Sequence, residues 1–308
     1  MTREEAERLL LLAREAQLVG PEATSWIERL GPKRQEIVEA VGWLAGNEEE
    51  EAAVELAAGV WRLWLTVGDV AGGRQMLAAA LDLDHPKLSH ARALALYADG
   101  VLAFREGAQA ASRARNDEAL NEARALGDTQ AEALALVGLS RVAFRDGDNA
   151  RVRSLAGKAR ELSHRLGDAA EAAPLHMLAA GTRLGGDYDA AIALYTESLE
   201  LSRRLKDSRG VSMELHNIGH VQLHRGNVDD ARRCFAACAE FRDEDDPYGA
   251  AMTHLNRAAL AFATGDRGAA AELVRQTQAT LDAVGIVLDP DDAFEVKWLQ
   301  GQLATAVS

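Results

Sequence analysis

A turn recurs along this chain at a nearly constant interval, and that interval decides most of what the chain can fold into. Turn motifs centre on Gly68 (VGD), Gly107 (EGA), Gly147 (DGD), Gly186 (GGD), Gly226 (RGN) and Gly265 (TGD), spaced 39, 40, 39, 40 and 39 residues apart. A second series falls midway, at Gly127 and Gly167 (both LGD), Lys206 (LKD) and Gly285 (VGI). Glycine accepts the left-handed conformation that ends a helix, and a following Asp or Asn caps the next one.

Between turns the apolar residues keep helical spacing. In ALALVGLSRVAF, Leu134, Val137, Ser140 and Phe144 share one side, while Leu136, Leu139 and Ala143 share another. No sustained alternation of period two appears, so strands are not expected. Each unit reads as two antiparallel helices of about fifteen residues. Such a pair cannot bury both of its apolar faces alone, and stacking successive pairs solves the problem. The expected fold is all-α: a right-handed solenoid with a concave groove. Residues 1–50 form N-terminal capping helices, 51–287 about six helix pairs, and 288–308 a C-terminal capping helix. Trp26, Ile27, Leu30, Ile37, Val41 and Leu44 are the expected N-terminal core. Phe294, Trp298 and Leu299 are expected to cover the far end of the stack, and FRDEDDPYG (241–249) reads as the most irregular loop.

Composition sets limits on function. The chain has 308 residues, 48% hydrophobic and 27% charged, with a net charge of −14. A surface that acidic repels phosphate backbones and anionic lipid, so neither nucleic-acid binding by this chain alone nor membrane binding is expected. No secretion signal or spanning segment is visible, and the two cysteines, Cys234 and Cys238, read as packing residues. A cytoplasmic setting fits.

The stretch LGGDYDAAIALYTESLELSRRLKD (184–207) resembles a tetratricopeptide repeat of the longer kind. Ala191 and Tyr195, and then Ala231 and Phe235, match the small and aromatic positions that lock the second helix onto the first. The segments GPEATSWIERL and AAVELAAGVWRLWLTVGDVAGGRQMLAAAL resemble the region following the nucleotide-binding module in bacterial signal-transduction ATPase (STAND, LuxR-type) transcriptional regulators. No GxxxxGK[ST] stretch is present and no helix-turn-helix stands out. The resemblance therefore implies the helical-repeat sensor region without the ATPase or DNA-binding modules.

Counting back from each turn glycine, offsets eleven, eight, seven and four fall on the core, as at Leu215, Ile218 and Gly219. The tetratricopeptide resemblance implies that offsets thirteen, ten, nine, six and two or three face the groove. The first repeat then offers Tyr97, Val101, Phe104 and Arg105, and the second Val137, Arg141, Phe144 and Arg145. The third offers His176, Met177 and Arg183; the fourth Met213, His216, Asn217, His220, Leu223 and His224; the fifth Met252, Leu255, Asn256 and Phe262. Arg257 stands where the fifth core expects leucine, so that helix is expected to turn by about one residue, moving Asn256 and His254.

Three chemistries compete at these positions. Arg105, Arg141, Arg145 and Arg183 suit a carboxylate or phosphate, or else pair with acids of neighbouring helices. In peptide-binding relatives, asparagines placed like Asn217 and Asn256 clasp an extended backbone. His216, His220 and His224 follow one another every four residues and share a helix face. With Met177, Met213 and Met252 beside them they suit a soft-to-borderline transition metal, His216 and His220 as its ligands, or they are plain polar lining. No carboxylate is seen in the sequence to orient them. No Ser, Cys or Asp partner stands at a catalytic spacing, so no catalytic residue is assigned. The favoured expectation is non-enzymatic, cofactor-free recognition of a peptide, a protein segment or a small anionic ligand, in a regulatory role. The alternative is a metal or catalytic pocket at His176, His216 and His220.

Overall fold

The computed structural model describes residues 1–82, 87–241, 247–284 and 287–305. Gly285 and most of the loop expected at 241–249 lie outside these, as do the last three residues of the expected C-terminal cap. The described residues form sixteen α-helices, one short 3-10 helix and no strand.

Helices α1 (Arg3–Glu15), α2 (Ala23–Leu30) and α3 (Arg34–Ala45) come first, followed by twelve helices in six consecutive pairs. The pairs are α4 (Glu50–Thr66) with α5 (Val70–Leu81), α6 (His90–Arg105) with α7 (Gln109–Leu126), and α8 (Thr129–Arg145) with α9 (Asn149–Ser163). Next come α10 (Asp168–Leu184) with α11 (Tyr188–Arg204), α12 (Ser208–His224) with α13 (Val228–Ala239), and α14 (Pro247–Ala263) with α15 (Arg267–Val284). Helix α16 (Pro290–Ala304) ends the described chain.

The turn chemistry explains why the pairs form where they do. All six glycines of the first series have positive φ, from 77° at Gly68 to 90° at Gly265. In the midway series Gly127 (67°), Gly167 (96°) and even Lys206 (56°) do the same. The next helix is then capped by the following acid. Asp69, Asp148 and Asp187 accept from the backbone N–H of Gly72, Arg151 and Ala190 at 3.0–3.1 Å. Asp128, Asp207 and Asp266 do so for Ala131, Gly210 and Ala269. Each such cap is worth roughly 1 kcal/mol.

The chain divides into two compact units. Unit 1 holds Met1–Ala143 and Ser154–Pro174; unit 2 holds Phe144–Arg153 and Leu175–Ser308. In unit 1, Leu30, Ile37, Val41 and Leu44 are buried as expected, while Trp26 and Ile27 are only half-buried and Trp26 lies under the Arg29 guanidinium. Ala6, Leu9, Leu10 and Ala13 of α1 complete that core. In unit 2, Ala191, Tyr195, Ala231 and Phe235 are buried at the interlocking positions. A methyl group at Gly219 would stand 2.3 Å from the Phe235 ring, so α12 and α13 meet as closely as they do only because that residue has no side chain.

Helix α16 departs from the expected cap. Val296 and Leu299 join a cluster with Met252 and Leu255 of α14, but Phe294 is exposed. The remaining inward positions are acidic: Asp291, Asp292 and Glu295 are all buried. Arg257 is exposed while Leu255 and Ala258 are buried, in line with the expected turn of α14.

Candidate functional site

The histidine stripe of α12 is one face, as its spacing requires, and it is buried. His216 is 6% exposed and His220 1%, with their rings 4.6 Å apart in an edge-on contact. Phe235 of α13 backs His220 with centroids 5.0 Å apart. The carboxylates absent from the local sequence come from α16. His216 Nε2 donates to Asp292 Oδ1 at 2.8 Å, and His224 Nε2 donates to Glu295 Oε1 at 2.9 Å. Glu295 also takes the Nη2 of Arg183 from α10, in a pair whose side chains are 1% and 2% exposed. The other end of that guanidinium donates to Asn217 Oδ1 at 2.5 Å, and Tyr248 of α14 donates its hydroxyl to Asp292. His220 Nε2 donates to Asn256 Oδ1 at 3.0 Å, which keeps Asn256 on this face despite the turn of α14. His176 of α10 donates to Glu214 Oε1 at 3.0 Å, and Ser198 Oγ donates to the same oxygen at 2.7 Å.

These pairings set the charges. Burial opposes a proton on His176, but Glu214, with Asp291 and Asp289 beyond it, raises the imidazole to about 9. Burial has the opposite outcome at His220: with His216 and Arg183 nearby it pushes the ring down to about 4, against the pull of Glu295. Burial would raise Glu295, yet Arg183 and then His220 hold it well below the usual carboxylate range. Burial and the neighbouring Asp292 push Asp291 up to about 6. The result is a fixed pattern of opposite charges across α10, α12 and α16, with neutral His220 in the middle.

The Nε2 atoms of His216 and His220 are directed at Asp292 and Asn256, and among the described residues no group of three or more His, Cys, Asp or Glu side chains is placed to hold an ion. Of the methionines expected beside them, Met177 and Met252 are buried packing residues, and Met213 is 40% exposed.

The first helices of unit 1 carry a different arrangement. Arg141 of α8 donates from Nη1 to the Tyr97 hydroxyl of α6 at 3.1 Å. Tyr97 is 4% exposed and meets the Trp61 ring edge-on, and Trp61 in turn carries the Arg62 guanidinium at 4.5 Å from its centroid. Although burial would raise the Tyr97 phenol, Arg141 and Arg62 bring it below its ordinary value. Arg62 and Arg141 are half-buried and pair with no carboxylate among the described residues. Phe104 is buried and Arg105 half-buried in the same unit, while Phe144 (buried) and Arg145 (half-buried) belong to unit 2; Phe104, Arg105 and Arg145 have partners.

The structure thus gathers His176, Arg183, His216, Asn217, His220 and Asn256 in unit 2, and Tyr97 with Arg141 in unit 1. Sequence reasoning missed Glu214, Asp291, Asp292, Glu295 and Arg62. The acids of DPDDAFE were the available signal: positions 291, 292 and 295 share a helical face with Val296 and Leu299.

No protein-family model matches the chain, and no curated protein matches it. Solved structures do. The chain is similar to a Rap protein complexed with competence and sporulation factor, with a TM-score of 0.64 and 12% identity over 96% of this chain and 79% of that one. It is similar to NprR in complex with its cognate peptide NprX, with a TM-score of 0.59 and 13% identity over 97% and 82% of the two chains. A tetratricopeptide repeat protein from Parabacteroides merdae gives 0.58 and 10% identity over 96% and 99%. At such identities the likeness is one of fold, and together with the six capped helix pairs it makes this chain an all-α solenoid protein of the tetratricopeptide-repeat type.

Proposed function

We propose that this chain is a non-enzymatic recognition protein that docks a peptide or protein segment on its first-helix faces. The observation that carries this reading is α16 itself. An acidic helix lies on α10, α12 and α14 through Glu295 with Arg183, Asp292 with His216, and Val296 and Leu299 with the α14 cluster. The first-helix face of unit 2 therefore has the chemistry to read carboxylates one helical turn apart, and α16 holds that place in cis. That a Rap protein and NprR are found with a bound factor and a cognate peptide supports the same reading.

The role is regulatory in this proposal, in line with the resemblance to the sensor regions of signal-transduction ATPases, and it uses no cofactor. The net charge of −14 argues against nucleic acid and anionic membranes as partners. A cytoplasmic setting is part of this proposal; no described helix is long and apolar enough to cross a membrane, and Cys234 and Cys238 form no disulfide.

A labelled peptide of residues 287–305 tests the reading by fluorescence anisotropy with the full chain. Wild type binds it weakly, because α16 competes at the effective concentration of a tethered segment, on the order of millimolar. E295A loosens α16 and tightens peptide binding by about tenfold, and adding R183Q removes the gain. No binding by either wild type or E295A overturns the reading.

A further inference from the structure

Partly buried and buried arginines in this molecule are regularly matched with acids or with backbone carbonyls, as Arg153 is with Gly181 and Arg267 with Gln302. Arg74 reaches Asp99 and Glu106, Arg115 reaches Asp99, Arg92 lies against Glu118 and Glu122, and Arg183 lies against Glu295. Acids are plentiful, 48 Asp and Glu against 34 Lys and Arg. Arg62 and Arg141 break this pattern. Arg141 donates to the Tyr97 hydroxyl and Arg62 lies over the Trp61 ring that packs edge-on against Tyr97, close enough for the charge of Arg141 to act on Arg62, and neither has a carboxylate partner among the described residues. Two like charges held around a buried hydroxyl repel each other, and the Trp61 ring offsets only part of that cost.

Their place in the repeat says what is missing. Arg62, Arg141 and His220 each stand six residues before a turn glycine, Gly68, Gly147 and Gly226. Tyr97 and His216 each stand ten before theirs, Gly107 and Gly226. In unit 2 those positions face carboxylates: His216 Nε2 is 2.8 Å from Asp292 Oδ1, and His220 Nδ1 is 3.3 Å from Glu295 Oε2. The corresponding positions of unit 1 are more strongly basic and have no such acid. The geometry points to an oxyanion site at Arg62, Tyr97 and Arg141 that takes a carboxylate or phosphate group of a ligand docked on the first helices of unit 1. Guanidinium groups from α4 and α8 supply paired N–H donors, and the phenol hydroxyl of α6 supplies a third. This rests on the recognition reading for there being a ligand, and adds the chemical group that anchors it.

The test titrates the full chain with sodium succinate and, separately, with inorganic phosphate, holding ionic strength constant with sodium chloride. Thermal midpoint and tryptophan fluorescence are the readouts, Trp61 being the reporter beside Arg62. At least one anion raises the midpoint with an apparent Kd of roughly millimolar, and R62Q and R141Q each weaken it by about tenfold. R62K and R141K retain part of the binding, and R225Q, which removes a surface pair with Asp189, leaves it unchanged. Succinate alone names a carboxylate ligand, phosphate alone a phosphorylated one, and both name the shared oxyanion chemistry. If neither anion acts beyond sodium chloride, or if binding survives unaltered in R62Q, the site is refuted. R62K and R141K, which keep the charge, hold the test open should R62Q or R141Q fail to fold. The peptide experiment reads α16 and unit 2, so failure here leaves that result standing.

Discussion

The two first-helix faces are built from the same repeat positions and differ in what satisfies them. In unit 2, Arg183, His176, His216 and His224 each have a carboxylate, three of those four partnerships reaching α16. In unit 1, Arg141 bonds Tyr97, Arg62 lies over Trp61, and neither has an acid among the described residues. The lesson is that repeat position specifies where a side chain points, while its partner specifies whether it is scaffold or site. A cation with a buried partner holds the fold together; one without is free to meet a ligand.

The sharpest break of this comparison is to remove one side of the buried pair. R183A or E295A leaves an uncompensated charge at a position with 1% or 2% exposure, and chemical denaturation should show a loss of about 3–5 kcal/mol. The double replacement R183M/E295L should recover much of it, since the cost lies in the orphaned charge. Equal losses in the single and double variants would mean that the pair does not act as a unit.

Next comes the His176–Glu214 pair, whose contribution depends on pH. The folded-state value of about 9 lies above the ordinary 6.5, so the stabilisation is complete below 6.5 and is lost as pH rises through 9. Wild type should exceed H176Q by up to about 3 kcal/mol at the acid end of that window, and by nothing near its alkaline end. A difference that ignores pH would remove the ion pair from the account.

The smallest effect sharpens the contrast from the other side. R62Q should change stability by less than about 1 kcal/mol, in either direction, because no partner is left behind. A loss as large as that of R183A would make Arg62 scaffold, and the two faces would no longer differ in kind.

Particular residues show where reading the sequence stopped. Asp69, Asp187 and Asp207 announce their caps because donor and acceptor are three residues apart. The histidine face was visible at the spacing of His216, His220 and His224. Its partners were not, because Asp292 lies 76 residues from His216, and Glu295 lies 112 from Arg183. Arg62 escaped notice for a related reason. An arginine beside a tryptophan is unremarkable until Tyr97 and Arg141 are brought to it from helices one and two repeats further on.

By itself the sequence determined the period, the helix pairs and their capped turns, since left-handed glycines and side-chain caps act over a few bonds and do not wait for the rest of the fold. Only the tertiary structure decided which basic residues are answered by α16 and which have no acid among the described residues. That outcome depends on where a distant helix comes to rest, and electrostatic pairing across space leaves no mark in the spacing of either partner.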